Sequence, residues 1–175
     1  MVLLRFFLFL VLGMCLCRAD DERTVSPKGS FEIVQHFGQE GWSETLHFKG
    51  EADRDVSLEH VISWPGDFYV SPDERWILRI QKSGSGENIS WLYFLEKNGS
   101  VWRMEKQLGQ QGFDYLARQT GGLPPGLYHT GIEFESWDLK NHLLHFEIHG
   151  AADPGVKGIE TTLTYQLLEN RIVAP

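Results

Sequence analysis

The alternation of apolar and polar residues along many short segments constrains this chain most. Leu46 and Phe48 alternate with polar neighbours, and residues 142–149 and 159–168 repeat the pattern. Successive side chains of a strand point to opposite faces, so a period of two is typical of a half-buried β-strand. The pattern predicts an all-β fold of antiparallel sheets, arranged as a blade-like or sandwich-like meander.

One of these segments is apolar on both faces. Residues 89–95 read Ile-Ser-Trp-Leu-Tyr-Phe-Leu and run into Asn98-Gly99. A strand with two apolar faces is predicted to be a central one. An Asn-Gly pair between two strand patterns favours a tight turn, so a hairpin is predicted over 89–104.

The strand pattern stops once, between residues 105 and 119. Phe113 and Leu116 have helical spacing, while Gly109 and Gly112 disfavour an earlier start. A single short helix is therefore predicted near 112–119.

The first 19 residues differ in character from the rest. Arg5 precedes an apolar run of 12 residues, Phe6 to Cys17, and small residues stand at Cys17 and Ala19. This layout predicts a signal peptide cleaved after Ala19, and thus a secreted or periplasmic protein with no membrane span after cleavage. Retention of the segment as a membrane anchor is the alternative. Residues 20–30 are predicted to be a flexible leader, and residues 31–175 a single β-rich domain.

Charge and cysteine content exclude several classes of function. The chain has 16 Lys and Arg against 24 Asp and Glu, a net charge of −8. Nucleic acids require clustered basic side chains, so they are not expected partners. Both cysteines, Cys15 and Cys17, lie in the export segment. Thiol catalysis and cysteine-bound metals are therefore not expected in the mature chain.

Residues 68–78 carry the one family resemblance. Ser71-Pro72-Asp73 precedes a strand pattern, and a second strand pattern ends at Asn98-Gly99. This stretch, about 68–104, resembles the repeat of TolB-type, WD40-like β-propellers, although Glu74 stands where that repeat usually has glycine. The resemblance implies a blade-like sheet and transfers no catalytic residue.

Three possible metal ligands lie on one strand face. His145, Glu147 and His149 alternate along residues 142–149. Alternate residues of a strand are about 6.5–7 Å apart, so one ion could bridge only two of them, and only if their side chains lean inward. A solvated polar face is the alternative interpretation. His129 and His142 could complete a site only through tertiary contacts.

Paired carboxylates offer a second chemistry. Glu133 and Glu135 share a strand face, and such pairs perform acid–base work in glycoside hydrolysis. In a chain this rich in acids, a solvated acidic face is the simpler interpretation. A convergent pair of acids in an aromatic cleft would favour a small extracellular hydrolase.

Trp42 and Trp64 stand in turn-like contexts and are the tryptophans predicted to be exposed, as a contact surface for a partner. No catalytic motif accompanies them. The sequence therefore favours an exported, non-catalytic binding module without a cofactor, whose partner is a protein or a glycan. The carboxylate hydrolase and a metal-binding protein are the alternatives.

Overall fold

The computed structural model of the protein describes residues 21–50, 54–84 and 86–173. Three four-stranded antiparallel sheets follow one another along the chain. The first sheet contains β1 (Glu22–Val25), β2 (Phe31–Gly38), β3 (Gly41–Phe48) and β4 (Arg54–Ile62). The middle sheet contains β5 (Gly66–Val70), β6 (Trp76–Ser83), β7 (Glu87–Leu95) and β8 (Val101–Arg103). The third sheet contains β9 (Tyr128–Asp138), β10 (Leu143–Ala151), β11 (Ile159–Gln166) and β12 (Arg171–Val173).

The predicted all-β fold with antiparallel sheets is confirmed. Within each sheet the strands pair in chain order, and the described residues contain one helix, α1 (Leu108–Thr120). No helix in the described ranges is long and apolar enough to cross a membrane. The predicted signal peptide lies outside the described residues.

The helix begins four residues earlier than the sequence predicts. Gly109 and Gly112 lie within it, and their lack of a side chain lets the helix approach its neighbours closely. A Cβ at Gly112 would lie 2.9 Å from Cδ1 of Ile148, and one at Gly109 would lie 3.2 Å from Oγ of Ser90. Tertiary packing therefore outweighs the low helix propensity of glycine.

Part of the segment predicted as a leader is a strand. β1 pairs with β2 along four residues, from Glu22 opposite Gln35 to Val25 opposite Glu32. Downstream, the Lys28 N–H and the Ser30 hydroxyl donate hydrogen bonds to the Glu74 carboxylate, at 2.6 and 2.5 Å. The segment is therefore joined to both the first and the middle sheet.

The middle sheet is apolar on both faces because each face packs against another sheet. Ile77, Tyr93 and Leu95 form one core cluster with Phe31, Ile33 and Leu46 of the first sheet. The second cluster joins the opposite face of the middle sheet to the third sheet and to α1. Its fully buried members include Leu78, Leu92, Leu108, Phe146 and Tyr165.

A charged pair is buried between the first and middle sheets. Glu44 and Arg79 are 0% and 1% exposed, and the Arg79 guanidinium donates two hydrogen bonds to the Glu44 carboxylate, at 2.5 and 3.0 Å. Arg79 also donates to the Gln81 side chain at 2.9 Å, and the Gly66 N–H donates to that of Gln35 at 2.8 Å. These buried polar side chains are thus paired with each other or with the backbone, as burial requires.

The turn at Ser71-Pro72-Asp73 is held by its own side chains. The buried Ser71 hydroxyl donates to the Asp73 carboxylate at 2.6 Å and accepts the Trp76 N–H at 2.9 Å. Glu74 has a φ of 63°, a left-handed conformation that glycine adopts most readily. This local strain accompanies the contacts of Glu74 with Lys28 and Ser30.

The predicted hairpin over 89–104 forms, with a turn that differs from the simplest Asn-Gly turn. Gly99 has a φ of 83°, whereas Asn98 is not among the residues with positive φ. The Gly99 N–H donates to the Glu96 carbonyl, and the Glu96 N–H donates to the Ser100 carbonyl. These bonds fit a type I turn followed by a glycine bulge.

Candidate functional site

One cleft brings together residues that the sequence left in separate groups. It has a volume of about 560 Å³ and lies between β5, the β6–β7 hairpin and the edge strand β9; we call it the β5–β9 cleft. Glu133 and His149, one from each predicted constellation, line it together with His129. Its titratable side chains are Asp67, Tyr69, Lys82, Glu87, His129, Glu133 and His149.

An aromatic pair forms part of the cleft wall. The half-buried rings of Tyr69 and Phe134 stack with centroids 4.5 Å apart and planes at 23°. Burial raises the pKa of the Tyr69 phenol, and the negative charges of Asp67 and Glu133 raise it further. The phenol therefore stays protonated at neutral pH and can donate a hydrogen bond within the cleft.

The side chain of Asn88 fixes the hairpin against β9. Its Nδ2 donates to the Ile132 carbonyl at 2.9 Å, and its Oδ1 accepts the Ile132 N–H at 3.0 Å. The amide thus makes the two bonds that a neighbouring strand would make with an edge residue. Gly131 leaves room for it, because a Cβ there would lie 2.3 Å from Nδ2 of Asn88.

His129 reaches the cleft through an unusual backbone. Its φ is 51°, and its ring packs against Tyr128 at 4.9 Å between centroids. A Cβ at Gly86 would lie 2.7 Å from Cδ2 of His129, so the hairpin can approach this ring only with glycine there. Sequence periodicity could not reveal this contact, since it joins the β6–β7 turn to the start of β9, 129 − 86 = 43 residues further along the chain.

The polar groups of the cleft are not paired with each other. Asp67, Lys82, Glu87, Glu133 and His149 form no side-chain hydrogen bond or ion pair with another residue in the described part of the chain. Five ionisable side chains around one cavity are thus left to contact solvent or a ligand.

A metal centre does not assemble at the predicted residues. Among the residues that the structure describes, no three His, Cys, Asp or Glu side chains could hold one ion. The His145 ring is 2.9 Å from the Thr164 hydroxyl, and Glu147 lies opposite Glu133 and Thr162. The spacing along the strand keeps these side chains apart.

The predicted carboxylate pair is divided. Glu133 lines the cleft, whereas Glu135 accepts a hydrogen bond from the Thr162 hydroxyl at 2.7 Å. The β9–β10 pairing shifts its register at Glu135, which has no direct partner on β10. Asp67, which the sequence did not single out, is the second carboxylate near Tyr69.

The two tryptophans predicted to be exposed differ. Trp64 is 55% exposed, while Trp42 is half-buried against Phe37, with ring centroids 5.3 Å apart. Trp102, on the short edge strand β8, is 59% exposed and had no sequence signal beyond its residue type.

A larger cleft of about 710 Å³ lies between the first and middle sheets, beside Phe31 and Phe48, and none of the predicted site residues lines it. Its carboxylates already accept hydrogen bonds. Asp73 accepts from Ser71, Glu74 from Ser30, and Glu96 from Asn98. It therefore offers fewer available acceptors than the β5–β9 cleft.

No protein-family model, curated protein or solved structure matches the chain. The propeller-repeat resemblance over 68–104 therefore remains a prediction.

Proposed function

We propose that this is an exported, non-catalytic binding protein that holds a glycan in the β5–β9 cleft. The observation that carries the proposal is the combination of an aromatic wall with unpaired polar side chains in one cavity. Sugar rings present apolar C–H faces and many hydroxyl groups. An aromatic surface beside hydrogen-bonding groups contacts both at once.

The polar side chains suit hydroxyl groups in particular. The carboxylates of Asp67 and Glu133 can accept hydrogen bonds from sugar hydroxyl groups, while Lys82 and the Tyr69 phenol can donate hydrogen bonds to them. Hydrogen bonds to charged groups are the stronger ones, so a few of them suffice to orient a ligand. The export signal predicted at residues 1–19 would bring the protein to the compartments where such glycans occur.

A small glycoside hydrolase is the second candidate, and one observation favours it. Asp67 of the middle sheet and Glu133 of the third sheet both line the cleft together with Tyr69, and their charges both raise the pKa of that phenol, so two carboxylates share one part of the cleft. Two carboxylates are the minimum set for most glycoside hydrolysis.

A panel of soluble oligosaccharides, followed by calorimetry and by release of reducing ends, tests both candidates. We expect binding without release, weakened about tenfold by Glu133→Gln, because one charged hydrogen bond contributes roughly 1.5 kcal/mol. Glu135→Gln is the matched control, since Glu135 lies on the same strand outside the cleft.

The outcomes separate the candidates. Release of product that Glu133→Gln and Asp67→Asn both abolish would establish the hydrolase instead. Equal weakening by Glu133→Gln and Glu135→Gln would place the ligand elsewhere, and no binding across the panel would overturn the glycan proposal.

A further inference from the structure

Three aromatic residues gather at one end of the first sheet. Phe37 of β2 pairs directly with Trp42 of β3, and Trp42 pairs on its other side with Ile62 of β4. Trp64 follows two residues after Ile62. We call Phe37, Trp42 and Trp64 the aromatic end; Phe37 is 51% and Trp64 55% exposed.

The aromatic end lies on the face of the first sheet that packs against the middle sheet, beyond the part that the middle sheet covers. In β2 the same face carries Ile33 and Gln35, which are 0% and 4% exposed, before it reaches Phe37. The middle sheet thus covers this face as far as the row of Gln35 and Glu44, whereas in the next row Phe37 is 51% exposed and Trp42 only half-buried. The rings of Phe37 and Trp42 are in contact, with centroids 5.3 Å apart. Exposed aromatic side chains at one end of a sheet mark a contact surface, because the fold alone gains nothing from exposing them.

The most apolar part of the sequence is attached at this end. The described chain begins at Asp21, whose Oδ1 lies 2.7 Å from Nδ1 of His36, the neighbour of Phe37. Upstream of Asp21 lies the 12-residue apolar run from Phe6 to Cys17. A segment of that composition enters a membrane during export, whether or not it is later removed. Asp21 joins that segment to the fold beside His36 and Phe37, so the aromatic end is where the domain connects to the segment that enters the membrane.

We propose that the aromatic end seats in the interface of a zwitterionic lipid bilayer, with Phe37 and Trp64 among the headgroups. Tryptophan is enriched at membrane–water interfaces, where its apolar ring and polar N–H are both satisfied. The attraction is apolar, because the chain has a net charge of −8 and Glu40 lies in the turn beside Phe37. Anionic lipids would repel such a surface. The proposal is independent of the ligand of the β5–β9 cleft.

Binding to phosphatidylcholine vesicles tests the proposal. The chain that begins at Asp20 contains all twelve strands and both core clusters, and it has no cysteine. A polarity-sensitive fluorophore can therefore be placed through Gln39→Cys, in the exposed turn beside Phe37. Asn98→Cys is the matched control, because Asn98 is exposed beside Gly99, whose carbonyl accepts from Arg54 at the far end of the first sheet.

We expect the label at residue 39 to move to shorter emission wavelengths with vesicles and the label at residue 98 to stay unchanged. Phe37→Ser and Trp64→Ser should each weaken partitioning about fivefold, since each removes an apolar side chain from the interface. Trp102→Ser, a substitution of an equally exposed tryptophan on β8, should leave it unchanged. Circular dichroism of each variant verifies that the sheets persist.

Several outcomes would overturn the proposal. These are no partitioning of the wild-type chain, an equal response of both labels, or an equal loss with Trp102→Ser. Stronger partitioning after adding phosphatidylserine would show electrostatic adsorption instead. Dimerisation that Phe37→Ser abolishes, without vesicle binding, would assign the aromatic end to a second copy of the chain.

Discussion

At the scale of single residues, the buried pair of Glu44 and Arg79 is the least expected feature. Each charge loses its hydration between the sheets, and the two hydrogen bonds between them offset that loss. Arg79 lies in a strand whose neighbours Leu78 and Ile80 are apolar, so the sequence gives only a weak sign of it. The partner cannot be found from sequence, since it is 35 residues away on another sheet.

Glu44→Gln tests this pair. The substitution leaves the Arg79 charge buried without its counterion, and we expect a loss of about 3–5 kcal/mol in the free energy of unfolding, measured in urea. Glu169→Gln removes one partner of the exposed pair with Arg171 and should cost about 0–1 kcal/mol. A cost for Glu44→Gln as small as that of the control would show that water reaches the pair.

At the scale of elements, the contacts of Glu74 connect the β1–β2 turn to the turn before β6. Burial opposes ionisation of Glu74, but hydrogen bonds from Ser30, Ser26 and the backbone of Lys28 outweigh it, so its pKa lies below the ordinary 4.5. Because the folded pKa is the lower one, the carboxylate stabilises the fold at neutral pH. That stabilisation is lost as the pH falls through the folded pKa.

Acid unfolding measures this contribution. Between about pH 5 and pH 3, we expect the melting temperature of Glu74→Gln to fall less than that of the wild type, and that of Ser30→Ala to fall by an intermediate amount. Some acid sensitivity should remain, because hydrogen bonds from Lys49 and Asn141 lower the pKa values of Glu32 and Asp138. Parallel curves for Glu74→Gln and the wild type would contradict the assignment.

The strands can be predicted from the sequence, whereas the contacts between distant strands cannot. Alternation in residues 142–149 depends only on which side chains meet water, so β10 could be predicted from sequence alone. The β5–β9 cleft depends on how the third sheet meets the middle sheet. Two details of that junction, the Asn88 side chain in place of a strand and the positive φ of His129, follow no sequence period. The sequence therefore identifies Glu133 and His149 as candidate site residues, but it does not show that they belong to one site.

At the scale of the whole molecule, the sheets form one continuous stack. Ile77 and Leu78 are neighbours in β6 and are both 0% exposed, yet they belong to different core clusters. Loss of packing on one face of the middle sheet therefore affects the strands that support the other face. This arrangement is the physical basis for expecting residues 31–175 to behave as one domain.

Ile77→Ala and Leu78→Ala test this coupling. Each should cost about 2–5 kcal/mol and shift the same single unfolding transition, followed by tryptophan fluorescence and by circular dichroism. Ser136→Ala, an exposed position in β9, serves as the control for surface substitution. Two separate transitions, with each variant shifting only one of them, would divide the chain into two domains.

The order of the stack also determines how the chain can fold as it emerges during synthesis, N-terminus first. The first interface is complete once Arg103 has emerged, whereas the other face of β6 must wait for strands that end at Val173. During that interval Trp76, Leu78 and Ile80 have no partner sheet. We therefore expect a holding chaperone, or rapid emergence of residues 104–173, to reduce aggregation of the nascent chain.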